Sequence, residues 1–186
     1  MQVHGIASVG AILAVSVFGS PAHGQCGTFP DAADYDVEYV PVSVAVGDLD
    51  GDLDLDLAVA NQESDNISVL LNNGNGTFAT DVTYDVGGAP CSVAMGDLDG
   101  DLDLDLAVAN LYGETLSVLL NKGDGTFAED VTYGAGCEPE SVAVGDLDGD
   151  LDLDLAVVNR GSRSVSVLLN NGDGTFADDV TYGAGN

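Results

Sequence analysis

The chain has 186 residues and carries 32 Asp and Glu against three Lys and Arg, a formal net charge of −29. That balance excludes nucleic acid and anionic membrane surfaces as partners, because both would repel it. A hydrophobic content of 45% sets it apart from acidic disordered chains and supports a packed fold.

In chain order, the first feature is an apolar run from Ile6 to Phe18, followed by a small-x-small site at Ala22-His23-Gly24. The pattern predicts a secretory signal peptide over residues 1–24, although no Lys or Arg precedes the run. The run is too short to span a bilayer, and no other stretch is a candidate. From residue 25 onward a 49-residue period takes over. Phe29, Phe78, Phe127 and Phe176 obey it, as do Tyr35, Tyr84, Tyr133 and Tyr182, and Pro41, Pro90 and Pro139. The array of 25–186 therefore divides into a partial unit, 27–41, and three units near 42–86, 91–135 and 140–182. The repeated rings are expected to be core packing between units rather than a ligand platform.

Within a unit every apolar pattern is of β type. Val42–Val46 alternates and is β-branched, and Asp56–Ala60 forms a second strand. Ile67–Leu71 is the third, Asn72–Gly76 a strong turn, and Phe78–Val86 the fourth. Between the first two strands lies GDLDGDLDLDLAVAN, Gly47–Asn61, which returns as Gly96–Asn110 and, with one change, as Gly145–Asn159. Five carboxylates in nine residues suit a hard cation, and calcium accepts about six to eight oxygen ligands. A solvent-facing strand is the plainer alternative, but like charges stacked along one face repel. An EF-hand is excluded because the flanks are not helical and position twelve of the loop is Val59, Val108 or Val157.

Four antiparallel strands per repeat is the pattern of a propeller blade. With SVAVGDLDGD (Ser43–Asp52), DLAVAN (Asp56–Asn61) and SVLLNNGNGTF (Ser68–Phe78), each repeated twice more, the chain resembles FG-GAP/VCBS repeats. That is the family of integrin α-subunit propellers and many bacterial surface proteins. The resemblance implies a calcium loop in each blade. Its ligands would be Asp48, Asp50, Asp52, Asp56 and the carbonyl of Asp54; then Asp97, Asp99, Asp101, Asp105 and the carbonyl of Asp103; then Asp146, Asp148, Asp150, Asp154 and the carbonyl of Asp152. One departure is that loop position six, normally Gly, holds Leu53, Leu102 and Leu151. A left-handed backbone there would cost a Leu about 1–2 kcal/mol, which predicts three weakened sites.

The expected function is a secreted, non-enzymatic binding or adhesion module for an extracellular protein or carbohydrate, with calcium in a structural role. A domain of an exported lyase or phospholipase and a structural spacer are the alternatives. Against an enzyme, both histidines, His4 and His23, precede the expected cleavage site. The loop after the second strand varies between units, which marks Tyr112, Arg160 and Arg163 as candidate ligand contacts. Cys91 and Cys137 each lead into an acidic loop and could face each other, and Cys26 completes an odd count. Three blades cannot close a propeller, so an open or incomplete all-β array is expected. It would self-associate or belong to a larger parent protein.

Overall fold

The computed structural model describes residues 33–183. Contacts divide the chain after Ala33, and the description below concerns residues 34–183. The expected signal peptide, Cys26 and Phe29 lie outside the described residues.

Twelve strands form three separate four-stranded antiparallel sheets, each in simple sequential order. The first holds β1 (Pro41–Gly47), β2 (Asp56–Asn61), β3 (Asn66–Leu70) and β4 (Val82–Asp85). The second holds β5 (Pro90–Gly96), β6 (Asp105–Asn110), β7 (Thr115–Leu119) and β8 (Val131–Gly134). The third holds β9 (Pro139–Gly145), β10 (Asp154–Asn159), β11 (Ser164–Leu168) and β12 (Val180–Gly183). These are blades of an open propeller, with no helix among the described residues and no closed barrel.

Burial follows a strand's place in the stack. β6 is buried along its whole length, with a sheet on either side, whereas the same sequence DLAVAN in β2 is half-exposed at Leu57 and Val59. The outer strands β4 and β8 are mostly exposed and hold Thr, Tyr and polar ends. The sheets stack through two apolar layers. In the first, Leu49, Ile67 and Val69 meet Val93, Leu106 and Phe127. In the second, Leu98, Leu116 and Val118 meet Val142, Leu155 and Phe176. Each fully buried Leu, Ile, Val or Phe contributes about 1.5–3 kcal/mol.

The repeated rings pair across these layers, as the fixed register predicts. Tyr35 meets Phe78, Tyr84 meets Phe127 and Tyr133 meets Phe176, all edge to face with centroids 5.3, 5.3 and 5.4 Å apart. Such pairs add about 0.5–1.5 kcal/mol beyond area burial.

The fourth strand is shorter than expected, Val82–Asp85 rather than Phe78–Val86. A single bridge between Asn72 and Phe78 and a bond from Ala79 N–H to Leu71 carbonyl (2.8 Å) close the preceding turn. Phe78 then turns toward the Tyr of the preceding unit, so the backbone leaves the β3 ladder until Val82. The two described cysteines are not joined. Cys91 points from β5 into the sheet interface, within reach of the Ala109 and Pro139 carbonyls (3.4 and 3.2 Å), whereas Cys137 is exposed on a connection. Burial raises the Cys91 thiol, and the Glu114 carboxylate raises that of Cys137.

Candidate metal centre

Each acidic loop is folded by its own carboxylates. Asp48 accepts from the N–H groups of Gly51 and Leu53 (2.9 and 3.0 Å), Asp50 from Asp52 (3.3 Å) and Asp52 from Asp54 (2.8 Å). Side chains that bond the backbone two to five residues ahead curl the chain tightly. The curl requires a left-handed backbone at two places. One is glycine, at Gly51, Gly100 and Gly149, and the other is leucine: Leu53 (φ 75°), Leu102 (φ 78°) and Leu151 (φ 82°). The backbone at position six is therefore left-handed in every loop, and all three leucines point into solvent.

The last acid of each loop is the anchor. Asp56 opens β2, is fully buried, and accepts from Leu49 N–H (2.8 Å) and Asn72 N–H (2.7 Å). Asp105 does the same with Leu98 and Asn121 (both 2.8 Å), and Asp154 with Leu147 and Asn170 (2.8 and 2.9 Å). Each anchor thus ties the start of the loop to the turn between the third and fourth strands of its own sheet.

These contacts gather three carboxylates per loop, with one oxygen from each lying within 4.8 Å of the others. The groups are Asp48, Asp50 and Asp56; Asp97, Asp99 and Asp101; and Asp146, Asp148 and Asp154. Of the other predicted ligands, Asp105 lies beside the second group, where it feels the charges of Asp99 and Asp101. Asp52 and Asp150 accept from the next loop amide but one. Asp54, Asp103 and Asp152 turn their side chains onto Gly74, Gly123 and Gly172, away from the triads, leaving a carbonyl as the group each can offer.

Loss of hydration raises the carboxyl groups of Asp50, Asp99 and Asp148, and neighbouring aspartates push the same way. Burial pushes Asp105 up to about 6 against the two backbone N–H groups that favour its charge. The donor set is anionic, oxygen-only and crowded. A hard divalent cation fits it.

Tyr112, Arg160 and Arg163 all lie in exposed turns between the second and third strands of their sheets, on β6–β7 and β10–β11. Arg160 is paired with Glu138 and Glu140 at 3.2 and 3.3 Å, and Arg163 takes a left-handed backbone (φ 53°). The sequence reading missed two asparagine roles. Asn61, Asn110 and Asn159 close the second strands and donate to the buried Ser68, Ser117 and Ser166 (2.9, 3.0 and 2.9 Å). Those serines donate in turn to Asp81, Asp130 and Asp179. Asn121 and Asn170 cross between units, donating to the carbonyls of Leu49 (2.8 Å) and Leu98 (2.7 Å) in the preceding acidic loop.

Comparison with known families decides what this arrangement belongs to. The model of the FG-GAP-like repeat matches residues 48–108 and 97–157, each match running from one acidic loop through the next. The chain belongs to the FG-GAP-like repeat family. No curated protein matches it. Among solved structures, this FG-GAP-like chain is similar to an Agrocybe aegerita lectin that specifically recognises non-reducing terminal N-acetylglucosamine. The identity is 26% and the TM-score 0.53, over 74% of this chain and 37% of the lectin. The Photorhabdus luminescens Tc holotoxin pore also matches, at 23% identity and TM-score 0.45, over 75% of this chain and 7% of that one. The chain thus spans well under half the length of either.

Proposed function

We propose that this FG-GAP-like array is a secreted, calcium-stabilised binding module with no catalytic role of its own. The observation that carries the reading is the threefold recurrence of a carboxylate triad on a loop that its own side chains have already curled. Bound calcium would offset most of the negative charge of each triad and hold the first strand of the sheet to the second. Asp48, Asp50 and Asp56, with their counterparts, would hold it, and the carbonyls of Asp54, Asp103 and Asp152 would complete the set. Loops strained by a leucine in a left-handed backbone suit weak binding, matched to the millimolar calcium outside cells.

The likeness to a lectin favours carbohydrate over protein as the class of ligand, with glycans ending in N-acetylglucosamine as the first to try. A binding role rather than an enzymatic one is supported by the serines that meet carboxylates, Ser68, Ser117 and Ser166, which are fully buried, while their partners Asp81, Asp130 and Asp179 are half-buried. Thermal unfolding with calcium and with chelator, alongside ion counting, tests the metal half of the proposal. A rise in midpoint with about three ions bound is expected; an unchanged midpoint with no ion bound would sink it. A glycan array read in both conditions tests the binding half separately.

A further inference from the structure

We propose that Asn75 is the acceptor for an Asn-linked glycan, and that the fold closes the one other matching site to it. Such transfer takes place inside a secretory pathway, so this rests on the export proposed above. The tripeptide it requires, Asn-x-Ser/Thr with x other than Pro, occurs twice, as Asn66-Ile67-Ser68 and Asn75-Gly76-Thr77. The fold treats the two differently. Asn66 opens β3 and is buried, and its Oδ1 accepts from Asn61 Nδ2 at 2.9 Å. Ser68, the hydroxyl of the same tripeptide, is fully buried and donates to Asp81 at 2.6 Å. Both recognition groups are thus engaged inside the sheet. An amide with less than a tenth of its residue's surface open to water leaves no room for a sugar.

Asn75 is the opposite case. It lies in the turn between β3 and β4, where every residue from Asn73 to Thr77 is exposed. The N–H and the hydroxyl of Thr77 both donate to Asn75 Oδ1, at 2.9 and 2.7 Å. The turn therefore holds the hydroxyl of the tripeptide against the amide to be modified. Two donors on the oxygen draw electrons from the amide and make its N–H groups more acidic, the direction that attack by the nitrogen requires. Among the described residues nothing accepts from that nitrogen. In the transfer, Asn75 Nδ2 bonds to the anomeric carbon of an oligosaccharide carried on a lipid pyrophosphate. The bond from that carbon to the phosphate oxygen breaks, the lipid pyrophosphate leaves, and the amide proton passes to a base of the transferase.

The other units show that this position stays open when a further unit packs beside it. Its counterparts 49 residues on are Asp124 and Asp173, with the same Gly and Thr behind them. Those two turns press on the unit before: Gly125 and Gly174 are buried, and a Cβ on Gly125 would stand 2.8 Å from Leu71. Asp124 and Asp173 are exposed all the same, and each accepts the same pair of bonds from Thr126 or Thr175. A glycan on Asn75 is accordingly compatible with another unit in front of the first sheet. Aspartate in the second and third units limits these turns to a single acceptor.

Peptide mapping by mass spectrometry of chain secreted from a eukaryotic cell line is the test. The chain is made once with residues 1–24 and once with the host's own leader in their place. Appearance of the first in the medium tests export; the second tests the glycan whichever way that result falls. The secreted chain should carry one glycan, on Asn75, and an amidase that removes Asn-linked glycans should leave an aspartate at that position. Asn75→Asp, which copies the other two units, should be secreted equally well and carry none. Asp124→Asn completes Asn-Gly-Thr in the second unit and should carry two. A secreted chain bare at Asn75, or one modified at Asn66, overturns the proposal. So does an Asp124→Asn chain left bare at position 124, because the same turn with the same bonds would then have failed as an acceptor.

Discussion

Replacing Leu102 by glycine should stabilise the protein, against the usual outcome of removing a large apolar side chain. Leu102 sits at φ 78° and is 88% exposed, so its side chain contributes almost no packing. Holding an L-residue in the left-handed region costs about 1–2 kcal/mol. Glycine removes that cost but gives back about 0.5–1 kcal/mol through the greater freedom of the unfolded chain. The net gain is about 0.5–1 kcal/mol, which for a chain of this size raises the midpoint by roughly 1–4 °C. Leu102→Ala is the control, because it deletes the same apolar surface yet keeps the Cβ that causes the strain; it should stay within about 0.5 kcal/mol. Differential scanning calorimetry in chelator keeps metal out of the comparison. Making the change at Leu53, Leu102 and Leu151 together should give roughly three times the effect, since all three side chains are exposed to solvent. If alanine raised the midpoint as much as glycine, exposed apolar surface rather than backbone strain would be the cause. If glycine lowered it, the argument fails.

Two further outcomes are expected. Asn121→Ala strips the buried Leu49 carbonyl of the preceding unit of a partner, at about 1–3 kcal/mol, and the part-buried Leu104 carbonyl as well, whereas Asn72→Ala strips the exposed Leu55 carbonyl. Both also lose exposed or part-buried turn bonds from glycine N–H groups. Urea unfolding should show the former to be the costlier, and equal losses would deny the bond between units any weight. In chelator, stability should fall as pH rises. Asp105 is raised from 3.8 to about 6, so its contribution is intact below pH 4 and is lost as pH climbs through 6. Between pH 5 and 7 the loss is about 1 kcal/mol. Asp124 and Asp173, lowered by bonds from Thr126 and Thr175, act the other way only at more acid pH. Midpoints at pH 5 and pH 7, with Asp105→Asn expected to flatten the difference, check this.

The strands and the loop were legible because their signals are local. Alternation of β-branched residues places β1 and β3, and the loop position alone marks Leu53 as left-handed. What the sequence hid lies between units. In a near-perfect repeat, Leu98 of the same unit and Leu49 one copy back stand in identical sequence, so nothing in the sequence says which of the two carbonyls Asn121 will meet. Invariance of Asn61, Asn110 and Asn159 carries no signal either, because almost every neighbour is invariant too. The fourth strand was overextended because Phe78 has strand character, and only the Tyr of the preceding unit draws it out of the ladder. The cysteines defeat the same reasoning: adjacency along the repeat says nothing of side-chain direction, which sends Cys91 inward and leaves Cys137 in water.

The turn that follows each acidic loop one unit later makes three nearly identical sequences into unlike sites. Gly125 and Gly174 press so close to Asp50 and Asp99 that an added Cβ would stand 3.3 and 3.1 Å from theirs, and Asn121 and Asn170 clamp the carbonyls beside them. Among the described residues, nothing presses on Asp148 in the same way. Two loops are thus held in a vice, and the third is held on one side only. An ion entering the first or the second loop would meet an Asp50 or an Asp99 already confined by the next unit.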